Sequence, residues 1–306
     1  MLAAEIYGKM SGGNPAYERM EDILTSYVLS LFRYLNNLEI MEGFLRKARN
    51  IEGHNLTVAN VKSGDVFFWP LLNFGGTNCR EPDAFICLEE ENGKKLAVAV
   101  EAKYHSGLSN ILGKSEASGK EEAEKLLEKE GESLVEFRHQ LADEYCGLKC
   151  GKWTFRKVYS KYDPQIFQAK AERKYLLYIT SHHEFPKGDI MEAIEATRDR
   201  KGCERALGNC GVNASNEIYW VGWRDLYAVI EEKGMLQVPS KACMDYTASE
   251  QCLIADLAEV LRIRGLKTFD PFRDLKPVQL VSNIIDDHFL FDGLKPVGLY
   301  ESIIQI

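Results

Sequence analysis

The chain has 306 residues, 45% of them hydrophobic and 27% charged, with a formal net charge of −8. That length buries a substantial core and fits one large domain, or one domain with a helical appendage. The acidic balance argues against a protein that coats nucleic acid through bulk charge, and no apolar run is long enough to span a bilayer.

The N-terminal stretch MLAAEIYGKMSGGNPAYERMED lacks the basic start and apolar segment of a secretory leader, and its SGGNP reads as a lead-in to the first helix. From Tyr17 to Leu35, Met20, Ile23, Leu24, Tyr27, Val28, Leu31 and Leu35 recur at helical spacing, predicting an amphipathic helix. A second helix is expected over Leu38–Ala48. The pattern then changes. Asp65–Leu72 (DVFFWPLL) and Pro82–Leu88 (PDAFICL) read as strands. Asn92-Gly93 is a hairpin-turn signal, and Leu96–Tyr104 (LAVAVEAKY) is apolar on both faces up to Glu101, as a central strand covered on both sides would be. A charged helix is expected within Gly113–Glu132, extending through Leu134–Tyr145. Further on, Tyr175–Thr180 and Glu217–Gly222 read as strands, while Ile190–Arg200, Trp223–Glu232 and Ser249–Gly265 read as helices. This order predicts an α/β fold with a mixed central sheet between helices, residues 1–235 forming the main domain and 236–306 a mostly helical C-terminal extension packed on it.

Cys146–Tyr175 carries eight Lys or Arg against two acidic residues, a local +6 that leaves −14 for the rest of the chain. Trp153, Phe155, Tyr159 and Tyr162 lie among these charges. Basic groups with interleaved rings can hold phosphates and stack on bases, and a solvated loop with anchoring aromatics explains the stretch equally well. Eight cysteines, at 79, 87, 146, 150, 203, 210, 243 and 252, form no CxxC pair; they read as reduced, mostly buried thiols of a cytoplasmic protein. A zinc site from Cys146, Cys150 and two others has poor ligand spacing. His182-His183-Glu184 reads as a polar loop, since adjacent loop residues rarely converge on one ion.

The informative segment is Glu81–Ser109, EPDAFICLEEENGKKLAVAVEAKYHSGLS. Residues two apart on a strand share a face, so Glu101 and Lys103 project together. A turn centred on Asn92-Gly93 sets position 83 opposite position 102 and brings Asp83 within reach of the pair. Two carboxylates suit Mg²⁺, which takes oxygen ligands, and a neighbouring lysine can neutralise charge developing on a phosphoryl group. By chemistry alone, a structural Glu101–Lys103 ion pair beside a capping Asp83 is the commoner explanation.

Pro82-Asp83, seventeen intervening residues and Glu101-Ala102-Lys103 after the apolar LAVAV resemble the signature of the PD-(D/E)XK, restriction-endonuclease-like nuclease superfamily. The resemblance covers Tyr17 to about Tyr145. It implies a mixed sheet flanked by helices and a Mg²⁺-dependent nuclease, Mn²⁺ substituting, that hydrolyses phosphodiester bonds of DNA. Asp83 and Glu101 would ligate the metal with the Ala102 carbonyl, and Lys103 would be the catalytic lysine. Glu21 on the first helix matches an acidic residue that many members carry there and joins the catalytic and metal sets, with Glu18 as its rival. Gln140 matches a polar residue on the following helix, although Tyr145 lies five residues on rather than four. His105, Ser106 and Ser109 lie in a loop that resembles one along the substrate groove of defence-associated members. A role in restriction or phage defence, with a homodimer or partner subunit and no membrane partner, follows from the resemblance alone. The competing expectation is a catalytically inactive nuclease-like module that binds nucleic acid or protein.

Overall fold

The computed structural model describes residues 16–73, 79–104, 139–155, 163–198, 213–236 and 246–267, without the side chains of 16–20, 73, 79, 150 and 152. Helix α1 (Ala16–Tyr34) buries Leu24, Val28 and Leu31, one stripe of the period seen in the sequence. Helix α2 (Glu39–Lys47) has Glu39 and Glu42 in its first turn and Arg46 and Lys47 in its last, the charge order its dipole favours. Strands β1 (Val61–Phe68), β2 (Leu71–Asn73), β3 (Cys79–Arg80), β4 (Ala84–Glu90) and β5 (Lys95–Lys103) follow. Helix α3 (Gln140–Cys150), strand β6 (Lys152–Thr154), helix α4 (Pro164–Lys170), strand β7 (Arg173–Thr180) and helix α5 (Lys187–Arg198) come next. Then come the short α6 (Ala214–Glu217), strand β8 (Ile218–Gly222), and helices α7 (Trp223–Glu232) and α8 (Ala248–Ile263).

The main sheet is mixed, in the order β1-β4-β5-β7-β8, antiparallel from β1 to β5 and parallel from β5 to β8. Alternation along β4 and β5 divides the core in two. Ala84, Ile86, Leu88, Val98, Val100 and Ala102 pack with Leu24, Phe44, Leu226 and Leu257, so α1, α2, α7 and α8 cover one face. Phe85, Cys87, Ala97 and Ala99 face the other way, against Leu141, Tyr145, Phe167 and Ile190 of α3, α4 and α5. An α/β fold with a mixed five-stranded sheet between helices is therefore what the chain adopts.

Several local expectations need correction. DVFFWPLL is not one strand: Trp69 turns to φ +44° before Pro70, ending β1 and sending β2 into a separate sheet, β3-β2-β6. Helix α3 begins at Gln140, and residues 105–138, which hold the expected 113–132 helix and His105, Ser106 and Ser109, lie outside the described residues. The basic stretch contains β6 and α4, both missed. Asp163 caps α4 by accepting from the N–H groups of Gln165 and Ile166, with Pro164 next to it. Trp153 is buried and stacks at 5.9 Å on Phe155 and meets Phe85 at 5.2 Å, so these rings serve the core and offer no platform for bases. Tyr159 and Tyr162 lie outside the described residues. Cys87 and Cys146 are buried free thiols, whereas Cys252 is exposed.

Within the expected extension, Ile254, Leu257, Ala258 and Leu261 of α8 join the core shared by α1 and α7. Residues 1–268 make one compact unit; a second, 269–306, lies outside the described residues. Among the described residues, no helix is long and apolar enough to cross a membrane.

Candidate active site

The hairpin geometry sets the site. The β4–β5 register runs from Ala84↔Val100 to Glu89↔Lys95. Gly93 N–H donates to Glu90 O and Glu90 N–H donates to Lys94 O, each at 2.9 Å, and Gly93 has φ +81°. The connection is therefore the three residues 91–93, with glycine in the left-handed position of a bulged hairpin, and not a two-residue turn. One residue of difference decides which face Asp83 takes. The register continues to set 83 opposite 101 rather than 102, on the face of Glu101 and Lys103. Trp69 N–H donates to the Asp83 carbonyl at 3.0 Å, fixing its backbone at the strained turn after β1.

At the carboxyl end of β5 the expected residues converge. Lys103 Nζ lies 2.7 Å from Glu101 Oε1 and 3.4 Å from Glu21 Oε1. Tyr104 N–H donates to Glu21 Oε2 at 2.8 Å, so Glu21 reaches round the sheet end from α1, and Ala102 N–H donates to Asp83 Oδ2 at 2.8 Å. Gln140 Nε2 donates to Glu101 Oε1 at 2.6 Å. Thus Asp83, Glu101, Lys103, Glu21 and Gln140 belong to one cluster; the Glu18 side chain lies outside the described ones. His182, His183 and Glu184 are exposed.

Sequence reasoning missed a member. Glu144, one turn after Gln140 on α3, is fully buried; its Oε1 accepts from Gln140 Nε2 at 3.2 Å, and its Oε2 has no hydrogen-bond partner. Its signal was available: positions four apart on a helix share a face, and Gln140–Glu144 has that spacing where Tyr145 does not. Tyr145 instead donates its hydroxyl to Glu217 Oε2 at 2.5 Å, and Lys149 pairs with the same oxygen at 2.7 Å. With the buried Arg80–Asp143 pair at 2.9 Å, these contacts tie α3 to α6 and to β3.

Burial, then the neighbouring Glu101, pushes the Asp83 carboxyl well above its usual range, against the pull of Lys103 and the Ala102 N–H. Burial followed by Glu101 does the same to Glu144. For Lys103, burial opposes the charge, but Glu101, Asp83 and Glu21 outweigh it and raise the ammonium above its usual value. Among the described residues no group of three or more His, Cys, Asp or Glu stands in a metal-ligating arrangement. Asp83 and Glu101 are occupied by protein donors, Ala102 N–H on one and Gln140 and Lys103 on the other. The fit to a hard divalent cation lies in donor type and charge. Four buried acids, Glu21, Asp83, Glu101 and Glu144, surround one ammonium, and a Glu144 oxygen without a hydrogen-bond partner lies among them.

No family model matches the chain, and neither a curated protein nor a solved structure does.

Proposed function

We propose that the chain is a Mg²⁺-dependent phosphodiester hydrolase acting on DNA, with a restriction-endonuclease-like core. What supports this most is the surplus of buried acid. A structural ion pair needs one carboxylate for Lys103, yet Asp83 and Glu144 are also buried beside Glu101. Burying unmatched acids is costly, roughly several kcal/mol for each held as an ion after relaxation, and burial here drives Asp83 and Glu144 towards the neutral form instead, a perturbation that a fold tolerates where function requires it.

In this reading Asp83 and Glu101 hold the metal together with the Ala102 carbonyl. When bound, Mg²⁺ supplies Lewis acidity towards the phosphate and acidifies water. Lys103 Nζ, braced between Glu101 and Glu21, donates to the phosphoryl oxygen where negative charge develops. Gln140 orients Glu101 through the 2.6 Å hydrogen bond. Glu21 acts as a brace for Lys103 and Tyr104 and is the weaker candidate for metal ligation, because both its oxygens are already engaged. A place in restriction or phage defence, inside the cytoplasm and with a partner subunit, remains part of the proposal.

The engaged carboxylates favour one rival, an inactive nuclease-like binding module. Incubation with linear, circular and single-stranded DNA in Mg²⁺ or Mn²⁺ separates the two. Asp83→Asn and Lys103→Met are expected to lose at least about 10²-fold in cleavage rate, the scale of removing one electrostatic stabiliser. Cleavage unchanged in both variants would overturn the assignment, and binding without cleavage in every metal would establish the rival.

A further inference from the structure

The same end of the sheet carries two arginines that the hydrolytic cluster does not use. Lys103 pairs with Thr180 and Thr180 with Gly222 across β5, β7 and β8. The start of α7 therefore lies two strand spacings, about 10 Å, from the lysine. Arg224 is in the first turn of α7. Its Nε and Nη2 reach Gly265 O at 3.4 and 3.3 Å, long for such bonds, and its Nη1 has no acceptor. Burial holds this guanidinium below its usual value. Arg264, just after α8, lies over the Tyr104 ring at 5.5 Å, and the Tyr104 hydroxyl donates to the Arg264 carbonyl at 2.7 Å.

Tyr104 directly follows Lys103 and joins the two groups. Carboxylates and lysine lie on the α3 face, both arginines on the α7–α8 face, and Tyr104 N–H is tied to Glu21 between them. The arrangement spans the carboxyl ends of parallel strands, where ligand crevices of α/β sheets open. A purely structural role for Arg224, stapling α8 through Gly265 O, leaves its buried Nη1 without an acceptor on a side chain that is otherwise partly exposed.

We propose that Arg224 and Arg264 form a phosphate subsite that grips the sugar–phosphate backbone of a DNA strand beside the phosphodiester presented to Lys103. The planar guanidinium fork suits phosphate oxygens. The subsite deepens the hydrolase reading and rests on it for the identity of the strand.

The test is fluorescence anisotropy of the full chain with labelled DNA in Ca²⁺, over a range of salt, for wild type, Arg224→Gln and Arg264→Gln. Glutamine at 224 keeps a donor for Gly265 O and removes the charge, so an unchanged melting temperature serves as the folding control. Each variant is expected to bind several-fold more weakly whatever the sequence, with a salt slope shallower by about one. In Mg²⁺, KM rises by a larger factor than kcat falls. Wild-type affinity and slope in both variants overturn the subsite even if the protein cleaves DNA. Weakened, shallower binding by variants of a protein that never cleaves keeps the subsite and overturns hydrolysis. Sensitivity confined to 5′-phosphorylated oligonucleotides overturns the internal-backbone assignment, and sensitivity confined to RNA overturns the choice of DNA.

Discussion

His139 precedes Gln140 at the start of α3, and its replacement by leucine probes how that helix is held. The imidazole is 3% exposed, and neither ring nitrogen has a hydrogen-bond partner. A neutral imidazole carries one donor and one acceptor, and a buried unsatisfied polar group costs about 1–3 kcal/mol. His139→Leu removes both polar atoms at similar volume. Allowing for imperfect packing, a net gain of about 1–2 kcal/mol at pH 7.5 is expected, a rise of about 3–8 °C in melting temperature. Burial lowers the His139 pKa from 6.5, with Glu192, Asp189 and Asp143 opposing it. A depressed histidine contributes stability that is present above about pH 6.5 and lost as pH falls through its folded value. Wild type should therefore weaken relative to the variant on going from pH 7.5 to 5.0. Urea unfolding at the two pH values measures this. A leucine variant less stable at pH 7.5, or a gap no wider at pH 5.0, refutes the reasoning.

Glu144→Gln keeps an acceptor for Gln140 Nε2 while removing one buried carboxylate. Metal-free melts should rise by about 1–2 kcal/mol equivalent and the Mg²⁺-dependent increment should shrink; a lower melt or an unchanged increment removes Glu144 from the site. Arg173 pairs with the buried Glu90, whose Oε1 also accepts from Ala59 N–H. Arg173→Met should cost about 2–3 kcal/mol, below the value for a fully buried pair because Arg173 is partly exposed. Although burial opposes it, the Ala59 N–H and Arg173 hold Glu90 below its usual range, so wild type's advantage should be present at neutral pH and fade as pH falls below about 4; chemical denaturation across that range checks it. Gly147 lies where an added Cβ would meet Leu72 Cδ2 at 2.0 Å. Gly147→Ala should destabilise by about 1–3 kcal/mol despite better helix propensity, and equal or higher stability would show that Leu72 yields.

Periodicity made the layers legible: α1, β5 and α7 fall within a residue or two of their expected limits, because each presents a continuous stripe or an uninterrupted apolar run. What failed was local chemistry without a hydrophobic signature. Asp163-Pro164 announced α4 by capping alone, yet the charge of its surroundings suggested an open basic segment. Trp153 and Phe155 could be read equally as a binding surface or as anchoring aromatics because composition carries no information about which way a ring points; their neighbours Phe67 and Phe85 are supplied from β1 and β4.

The candidate site was more legible than its own geometry deserved. A turn centred on Asn92-Gly93 put Asp83 opposite Ala102, and that register would have turned its side chain to the α1 face, away from Glu101. Gly93 at φ +81° inserts one loop residue and brings Asp83 to the α3 face. The right constellation was therefore expected from a register that could not have built it. Glu144 shows the converse: its spacing from Gln140 was in the sequence, but a helical glutamate is ordinarily solvated, and only contact with Glu101 separates a buried acid from a surface one. That contact also bears on the choice between ion pair and active site. A lysine needs one acid, whereas this cluster has several, and the carboxyls driven towards the neutral form beside Glu101 are those that a bound cation would return to the charged form and that Glu144→Gln would replace.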